Sequence, residues 1–545
     1  MARRPLRIGC VASQSADSRR VIAPVARSHA ALRAAAFAPT AAGRAAQVSS
    51  VPEPATRTGL RANVLGLGSS ITIGVSSAAP AYSLAAVLAV LAGSVGLHAP
   101  AALLLAFIPM VCTAAAYNAF DRIAPDAGSV FAWLWRTVGP RTGWIAGWAL
   151  IVANVVVMAS LGEIAGRYTF LLAGWTTAAQ SDAAVTLVGV MWIGVVTAIC
   201  YVGIHVSARA QRALLSLELL ALVLFSVVAL ARVLSGHAGV HAATPQLAWF
   251  SPVGIRGHGA LAGGVLAALF IFWGWDTTAT VAEETRDPGP TSGRAALLST
   301  VILLAVFLLV VTAAQAFDGP GALAAHPADA LSALATGVLG HPFGRLVVLA
   351  VLTSAIASAQ TSVLPAARTV MAMAHAGATP PALGRIHPRH HTPHIATLAV
   401  GIAGATLFTA LSLTSQAVLS DSIAALGLII AFYYGLAAFA CPIYFRRELL
   451  RSPRKLLTLG LVPLIGAGGL AWVLVRTAIN LSHPANSATH TAPLGIGLPL
   501  LLTGCLLLLG LLLLGLTAWR SPSFPAAWTA QTDPPNAPRS QQPTM

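Results

Sequence analysis

The chain has 545 residues, of which 57% are hydrophobic and 9% charged, and its formal net charge is +16. A soluble globular domain carries about 25% charged residues, so this composition excludes a water-clothed fold and points to an all-α polytopic membrane protein. The positive charge is almost all arginine in short loops and tails, with Lys455 the single lysine, and it forms no basic face of the kind nucleic acid needs.

Residues 1–60 hold Arg3, Arg4, Arg7, Arg19, Arg20, Arg27, Arg33, Arg44 and Arg57 against Asp17 and Glu53. They lack the long apolar run of a signal peptide and read as a disordered basic tail, a form that a misassigned start also produces. Runs long enough to cross a bilayer, about 17–25 residues, follow at 63–92, 98–119, 143–173, 185–205, 212–234, 260–284, 295–317, 345–373, 395–413, 418–444, 457–477 and 494–518. The expected transmembrane domain is therefore 61–518 with about twelve helices. The stretch 519–545, rich in Pro, Gln and Ser, reads as a second disordered tail.

Basic residues fall in alternate gaps: Arg122, Arg136 and Arg141; Arg209 and Arg212; Arg286 and Arg294; Arg385 and Arg389; Arg446, Arg447, Arg451, Arg454 and Lys455. The gaps at 93–98 and 414–417 have none. The positive-inside rule then places the basic gaps and both termini in the cytoplasm, with the chain in the plasma (inner) membrane.

Two spans are interrupted. The first reads Gly66-Leu67-Gly68-Ser69-Ser70-Ile71-Thr72-Ile73-Gly74-Val75-Ser76-Ser77-Ala78-Ala79-Pro80, and the sixth reads Phe272-Trp273-Gly274-Trp275-Asp276-Thr277-Thr278. A mid-membrane carboxylate costs roughly 2.5–3.5 kcal/mol on insertion scales, and glycine weakens a helix by about 1 kcal/mol against alanine. Lipid tolerates opened backbone only where it lines a cavity. Broken spans that begin successive blocks of five point to an inverted repeat with a midplane binding site, although close helix packing also uses Gly and Ser.

Asp276 reads either as a contact for a substrate amine or gate partner, or as a carboxylate tied to backbone donors at the start of a half-helix. Glu218, in the fifth span, is a candidate proton carrier, because a carboxylate withdrawn from water can exchange a proton as its surroundings change; snorkelling or a serine hydrogen bond is the structural alternative. Glu163 and Arg167 share a helix face four residues apart and read as a local ion pair. Glu283 and Glu284, ending the sixth span, read as an inner-gate network with loop arginines or as a solvated helix end. Trp133, Trp135, Trp144, Trp148 and Trp175 fit an interfacial belt, while Trp273 and Trp275 flank the break and could wall a pocket. The cluster His387, His390, His391 and His394 has no Cys, Asp or Glu among it, so no metal site is expected. Cys112, Cys200, Cys441 and Cys505 lie in apolar runs, and Cys10 lies in the tail; without a CxxC pair they read as small buried hydrophobes. No cofactor motif is present.

The chain resembles the amino acid–polyamine–organocation permeases over most of residues 60–450. Ile71-Thr72-Ile73-Gly74-Val75 stands at that family's first-span Ile-Gly-small-Gly-Ile motif and keeps one glycine. Residues 117–129 with Gly139-Pro140-Arg141-Thr142-Gly143-Trp144 resemble its Pro-x-Ala-Gly-Gly loop. Phe272, Gly274, Trp275, Asp276, Glu283, Glu284 and Pro288 match its sixth-span pattern, and Ala366–Pro380 resembles the signature after the eighth span. The resemblance implies a LeuT-like fold, two inverted five-helix repeats at about 63–234 and 260–444 plus two helices at about 457–518. Substrate is then expected against Thr72, Ile73, Gly74, Val75 and Ser76 on one side and Phe272, Trp273, Gly274, Trp275 and Asp276 on the other. Glu218 stands where relatives often carry a lysine in place of a sodium ion, and the reversed charge departs from that pattern.

These readings converge on a secondary active transporter of amino acids by alternating access, proton-coupled or exchanging, with Glu218, Glu283 and Glu284 as coupling or gating residues. A carrier of polyamines or other organic cations is the same-class alternative, favoured by two buried carboxylates. A membrane sensor needs a folded soluble domain, which the tails do not suggest. A membrane enzyme needs a nucleophile–base pair, a His-rich metal motif or an Asp-rich diphosphate motif, and none is found.

Overall fold

The computed structural model describes residues 59–255, 257–325, 330–414, 416–490 and 493–520. Most of both expected tails, with Cys10, falls outside them. Among the described residues, eleven apolar helical stretches are long enough to cross a membrane. The first, Leu67–Ile123, has 57 residues; as one helix it would be about 85 Å long at 1.5 Å per residue, against a hydrocarbon core of about 30 Å. It reverses at Gly96–His98, where Gly96 has φ 57°, so the eleven stretches hold twelve crossings.

In chain order the spans are Leu67–Ala78 continued by Pro80–Val95, Ala99–Ile123, Pro140–Ala173, Asp182–Val202, Ile204–Leu234, His258–Phe272 with its continuation, Pro288–Ala324, Gly344–His375, His394–Thr414, Gln416–Tyr444, Val462–Leu481 and Leu498–Arg520. Local chemistry sets several starts. Pro80, Pro140 and Pro288 each open a helix, a position where proline's missing N–H is not needed and its φ is already helical.

The packing repeats with an offset of five. The second span packs on the seventh, the third on the eighth and the fourth on the ninth. The third also packs on the tenth as the eighth packs on the fifth, and the fifth packs on the seventh as the tenth packs on the second. Each contact maps onto its partner when span n is exchanged with span n+5. The third and eighth spans form the hub, with 83% of their most apolar window buried, against 33% for the fourth and ninth and 17% for the twelfth. The exposed leucines and valines of those outer helices are what a lipid-facing surface requires.

Three of the tryptophans expected in an interfacial belt are inside the protein. Trp133, Trp135 and Trp144 are buried, and Trp133 stacks on Phe120 while its indole N–H donates to the Ala124 carbonyl. The short helix Val130–Thr137 folds back against the third span and takes them out of the interface. Trp175 is exposed. Cys200 and Cys441 are buried as expected, but Cys505 is exposed on the twelfth span.

Candidate functional site

The first span is opened at Ala79. Its φ of 47° and ψ of 69° end the helix Leu67–Ala78 in the left-handed region, and the Ala79 N–H turns back to Val75 and Ser76. Pro80 forces the interruption, since its ring clashes with a preceding helical turn. The break therefore lies five residues beyond Gly74. Thr72, Ile73, Gly74 and Val75 sit in continuous helix, and the Thr72 hydroxyl donates to its own Gly68 carbonyl. Gly74 serves packing: a Cβ there would lie 2.6 Å from Ser299 Oγ and 2.9 Å from Thr278 Cγ2. Ser76, two residues closer to the break than Gly74, is buried with no partner for its hydroxyl.

The sixth span opens where expected. The helix His258–Phe272 ends at Trp273, which is extended at φ −74° and ψ 149°, and Gly274 follows at φ 115°. An added Cβ at Gly274 would stand 2.7 Å from the Ser77 carbonyl group and 2.8 Å from the Ala78 nitrogen. Only glycine permits both that φ and that approach, so the two breaks meet backbone to backbone. Ser77 Oγ and Thr277 Oγ1, 2.8 Å apart, add a second tie, and Ser358 of the eighth span donates to the Ser77 carbonyl.

Beyond the break the sixth span makes one α-turn, Thr277–Thr280, then a 3-10 turn, Ala282–Glu284. The amides of Thr277, Thr278 and Ala279 bond to Gly274, Trp275 and Asp276. The leading amides of this half-helix are therefore already taken. In the first span's second half the leading donors are also taken: Ala81 N–H donates to Glu218 Oε1 at 2.7 Å and Tyr82 N–H to Ser354 Oγ at 3.2 Å.

Glu218 thus occupies the N-terminal end of the half-helix Pro80–Val95, a place that favours an anion. Ser354 of the eighth span donates to the same oxygen at 2.7 Å. Glu218 is 1% exposed, which rules out snorkelling. Asp276 makes no side-chain cap bond to the turn it begins, and the backbone donor it does meet is its own N–H. It accepts a 3.0 Å bond from the Tyr433 hydroxyl of the tenth span, and that oxygen receives the Trp273 indole N–H. Trp275 is buried edge-on against Tyr117, at 5.0 Å between ring centroids, and lies tilted against Tyr434 at 5.1 Å. Its indole N–H has no partner. Phe272 packs between Phe107 and Phe307.

At the basic end, Glu284 forms a buried ion pair through two hydrogen bonds with Arg368 of the eighth span. Glu283 accepts the Ala127 N–H. The partner of Glu284 is thus a span residue, not a loop arginine. Val64 and Leu65 donate to the Glu284 carbonyl, and Arg286 N–H donates to Leu65, joining the segment before the first span to the end of the sixth. Glu163 and Arg167 pair at 2.9 Å as expected. His387, His390 and His394 stack around Tyr201. His387 Nδ1 accepts the Arg389 and His390 amides, while partial desolvation, with the charges of His387, Arg389 and Arg61, lowers the His390 pKa.

Ser354, Arg368 and Tyr433 were not visible as site residues in the sequence. Each lies in an apolar run of ordinary composition, and only its partner, 84–157 residues away, reveals it.

The chain matches the amino acid permease family over residues 70–489. It is 29% identical to an uncharacterized transporter of Mycobacterium tuberculosis (strain ATCC 25618 / H37Rv), over 80% of this chain and 88% of that one. It is 27% identical to the branched-chain amino acid permease BcaP of Bacillus subtilis (strain 168), over 58% and 69%. It is 26% identical to the vacuolar cationic amino acid transporter 2 of Arabidopsis thaliana, over 56% and 48%. A match across most of the chain makes it a member of the amino acid permease family and an amino acid transporter.

Proposed function

We propose that this permease moves its amino acid by alternating access around the apposed breaks at Ala79–Pro80 and Trp273–Gly274, with Glu218 as the proton-coupling group. The proposal includes a plasma-membrane location with the basic end and both termini cytoplasmic. The observation that carries it is the bond from Ala81 N–H to Glu218 Oε1. Glu218 holds the backbone donor that an amino acid's carboxylate would otherwise use. Protonation weakens Glu218 as an acceptor and frees that donor for the substrate. Proton and substrate then bind together, which is the logic of symport.

Ser76 and Trp275, the buried donors without partners, supply further contacts, and Asp276, positioned by Tyr433, faces the substrate's ammonium. Glu284 with Arg368 closes the basic end. The test is radiolabelled uptake into proteoliposomes under an imposed pH gradient. Gradient-driven accumulation of a branched-chain amino acid is expected. Folded protein that accumulates no amino acid would sink the proposal.

A second reading, transport of a cationic amino acid or polyamine, draws on the occupied backbone donors and on the two carboxylates Glu218 and Asp276. Competition separates the readings: putrescine or arginine outcompeting leucine would favour the second.

A further inference from the structure

A further carboxylate, outside the transport site just described, has an unusual set of partners. Asp121 lies in the last turn of the second span, fully buried. Its Oδ2 is 2.9 Å from Ser292 Oγ on the seventh span, and the same Ser292 Oγ is 2.8 Å from the Thr278 carbonyl oxygen of the broken sixth span. Asp121 Oδ1 has no partner. The approach is built in: a Cβ at Gly289 would sit 3.1 Å from Arg122 backbone, and one at Gly293 2.6 Å from the Asn118 Cα. Gly289, Ser292 and Gly293 form one face of the seventh span, bare enough to bring the hydroxyl between both oxygens.

A serine hydroxyl has one proton to donate. The Thr278 carbonyl can only accept. If Ser292 donates to Thr278, its remaining bond to Asp121 must be received, and Asp121 must be the donor. A carboxylate cannot donate, whereas a carboxylic acid can.

Two further facts agree with the acid form. Asp121 sits at a helix C-terminus, where the dipole opposes negative charge. Among the described residues it has no ion pair. The titratable and charged groups with described side chains on the elements around it are Cys112, Tyr117 and Arg122 on its own helix, Tyr82 on the first span, Asp276, Glu283 and Glu284 on the sixth, Arg294 and Asp318 on the seventh, Asp421, Tyr433, Tyr434, Cys441 and Tyr444 on the tenth, and Arg476 on the eleventh. None of them bonds to Asp121, and the Tyr117 hydroxyl has no partner. Glu218 is the contrasting case. Its oxygen receives two donors, one of them a backbone N–H, as an ionised carboxylate does.

We propose that Asp121 is a proton-binding site, and that its proton completes the chain Asp121–Ser292–Thr278 that ties the broken sixth span to the second and seventh. Loss of that proton turns the Ser292 hydroxyl toward the carboxylate and leaves the Thr278 carbonyl without a partner. The proton thus stabilises the present placement of the sixth span. The assignment goes beyond Glu218 and does not depend on proton coupling there.

The test is infrared spectroscopy of the purified protein in lipid nanodiscs at neutral pH, without substrate. Asp121→Asn is expected to delete one protonated-carboxyl C=O band and to keep the parent's thermal midpoint, because the amide N–H₂ donates to Ser292 as the acid does. Asp121→Ala is expected to lower that midpoint. Ser292→Ala, which removes the acceptor, is expected to shift the band's frequency, and it serves if neither Asp121 variant folds. The proposal is overturned if Asp121→Asn deletes no such band, if it destabilises as much as Asp121→Ala, or if the band is indifferent to Ser292→Ala.

Discussion

The breaks in the first and sixth spans lie against each other, yet they are made by opposite means. The first uses an alanine forced into the left-handed region ahead of a proline, and the half-helix beyond it is long and capped by Glu218. The sixth uses a glycine whose missing side chain is filled by the backbone of the first, and it continues for a single α-turn. One break is a conformational strain held by its surroundings. The other is a contact surface. The first should therefore tolerate relief of its residue, and the second should tolerate no enlargement.

The largest expected effect tests that contrast directly. Gly274→Ala adds a side chain at φ 115° and 2.7 Å from Ser77, on top of about 1–2 kcal/mol for the left-handed backbone. It should reduce transport in proteoliposomes to background or prevent folding, as seen by size-exclusion chromatography. Ala79→Gly removes a similar strain, and its thermal midpoint should be unchanged or raised. Equal damage from both would erase the distinction between the breaks.

Next comes the buried pair at the basic end. Glu284→Gln or Arg368→Met alone leaves one uncompensated buried charge and should destabilise by about 3–5 kcal/mol, read by denaturant or thermal unfolding. The double variant should recover most of that loss. A third expectation concerns the cap on the first break. Glu218→Gln should abolish gradient-driven accumulation while amino acid exchange continues, and unchanged accumulation would remove Glu218 from coupling. The smallest effect belongs to the sixth break's polar support. Tyr433→Phe deletes the donor to Asp276, a loss of about 1–2 kcal/mol, and should raise KM several-fold while the protein remains folded.

Span number, the two interrupted helices and the Glu163–Arg167 pair were legible because hydropathy, glycine–aspartate insertions and four-residue spacing are local signals. The first break falls at the Ala79-Pro80 end of the interrupted stretch rather than beside the family-like Gly74, as the proline rule requires. That the leading amides beyond the first break are taken was illegible for a different reason. Whether an N–H is available depends on what another span brings to it, and Glu218 and Ser354 arrive from 137 and 272 residues away. Trp133, Trp135 and Trp144 failed in the same way: they are buried where the short helix Val130–Thr137 packs on the third span, a contact that no local pattern announces. Asp121 carries no local signal of its own, and only Ser292 and Thr278, 171 and 157 residues away, mark it.

The backbone bonds between Leu65, Glu284 and Arg286 have a practical consequence. They are made by main-chain atoms, so no side-chain substitution except proline deletes them, and they survive whatever changes at the site. Their amides should exchange hydrogen slowly while the basic end is shut and quickly when it parts. Deuterium uptake at Leu65 and Arg286 would then time the opening of this end in the unaltered protein, with no label attached and no residue replaced.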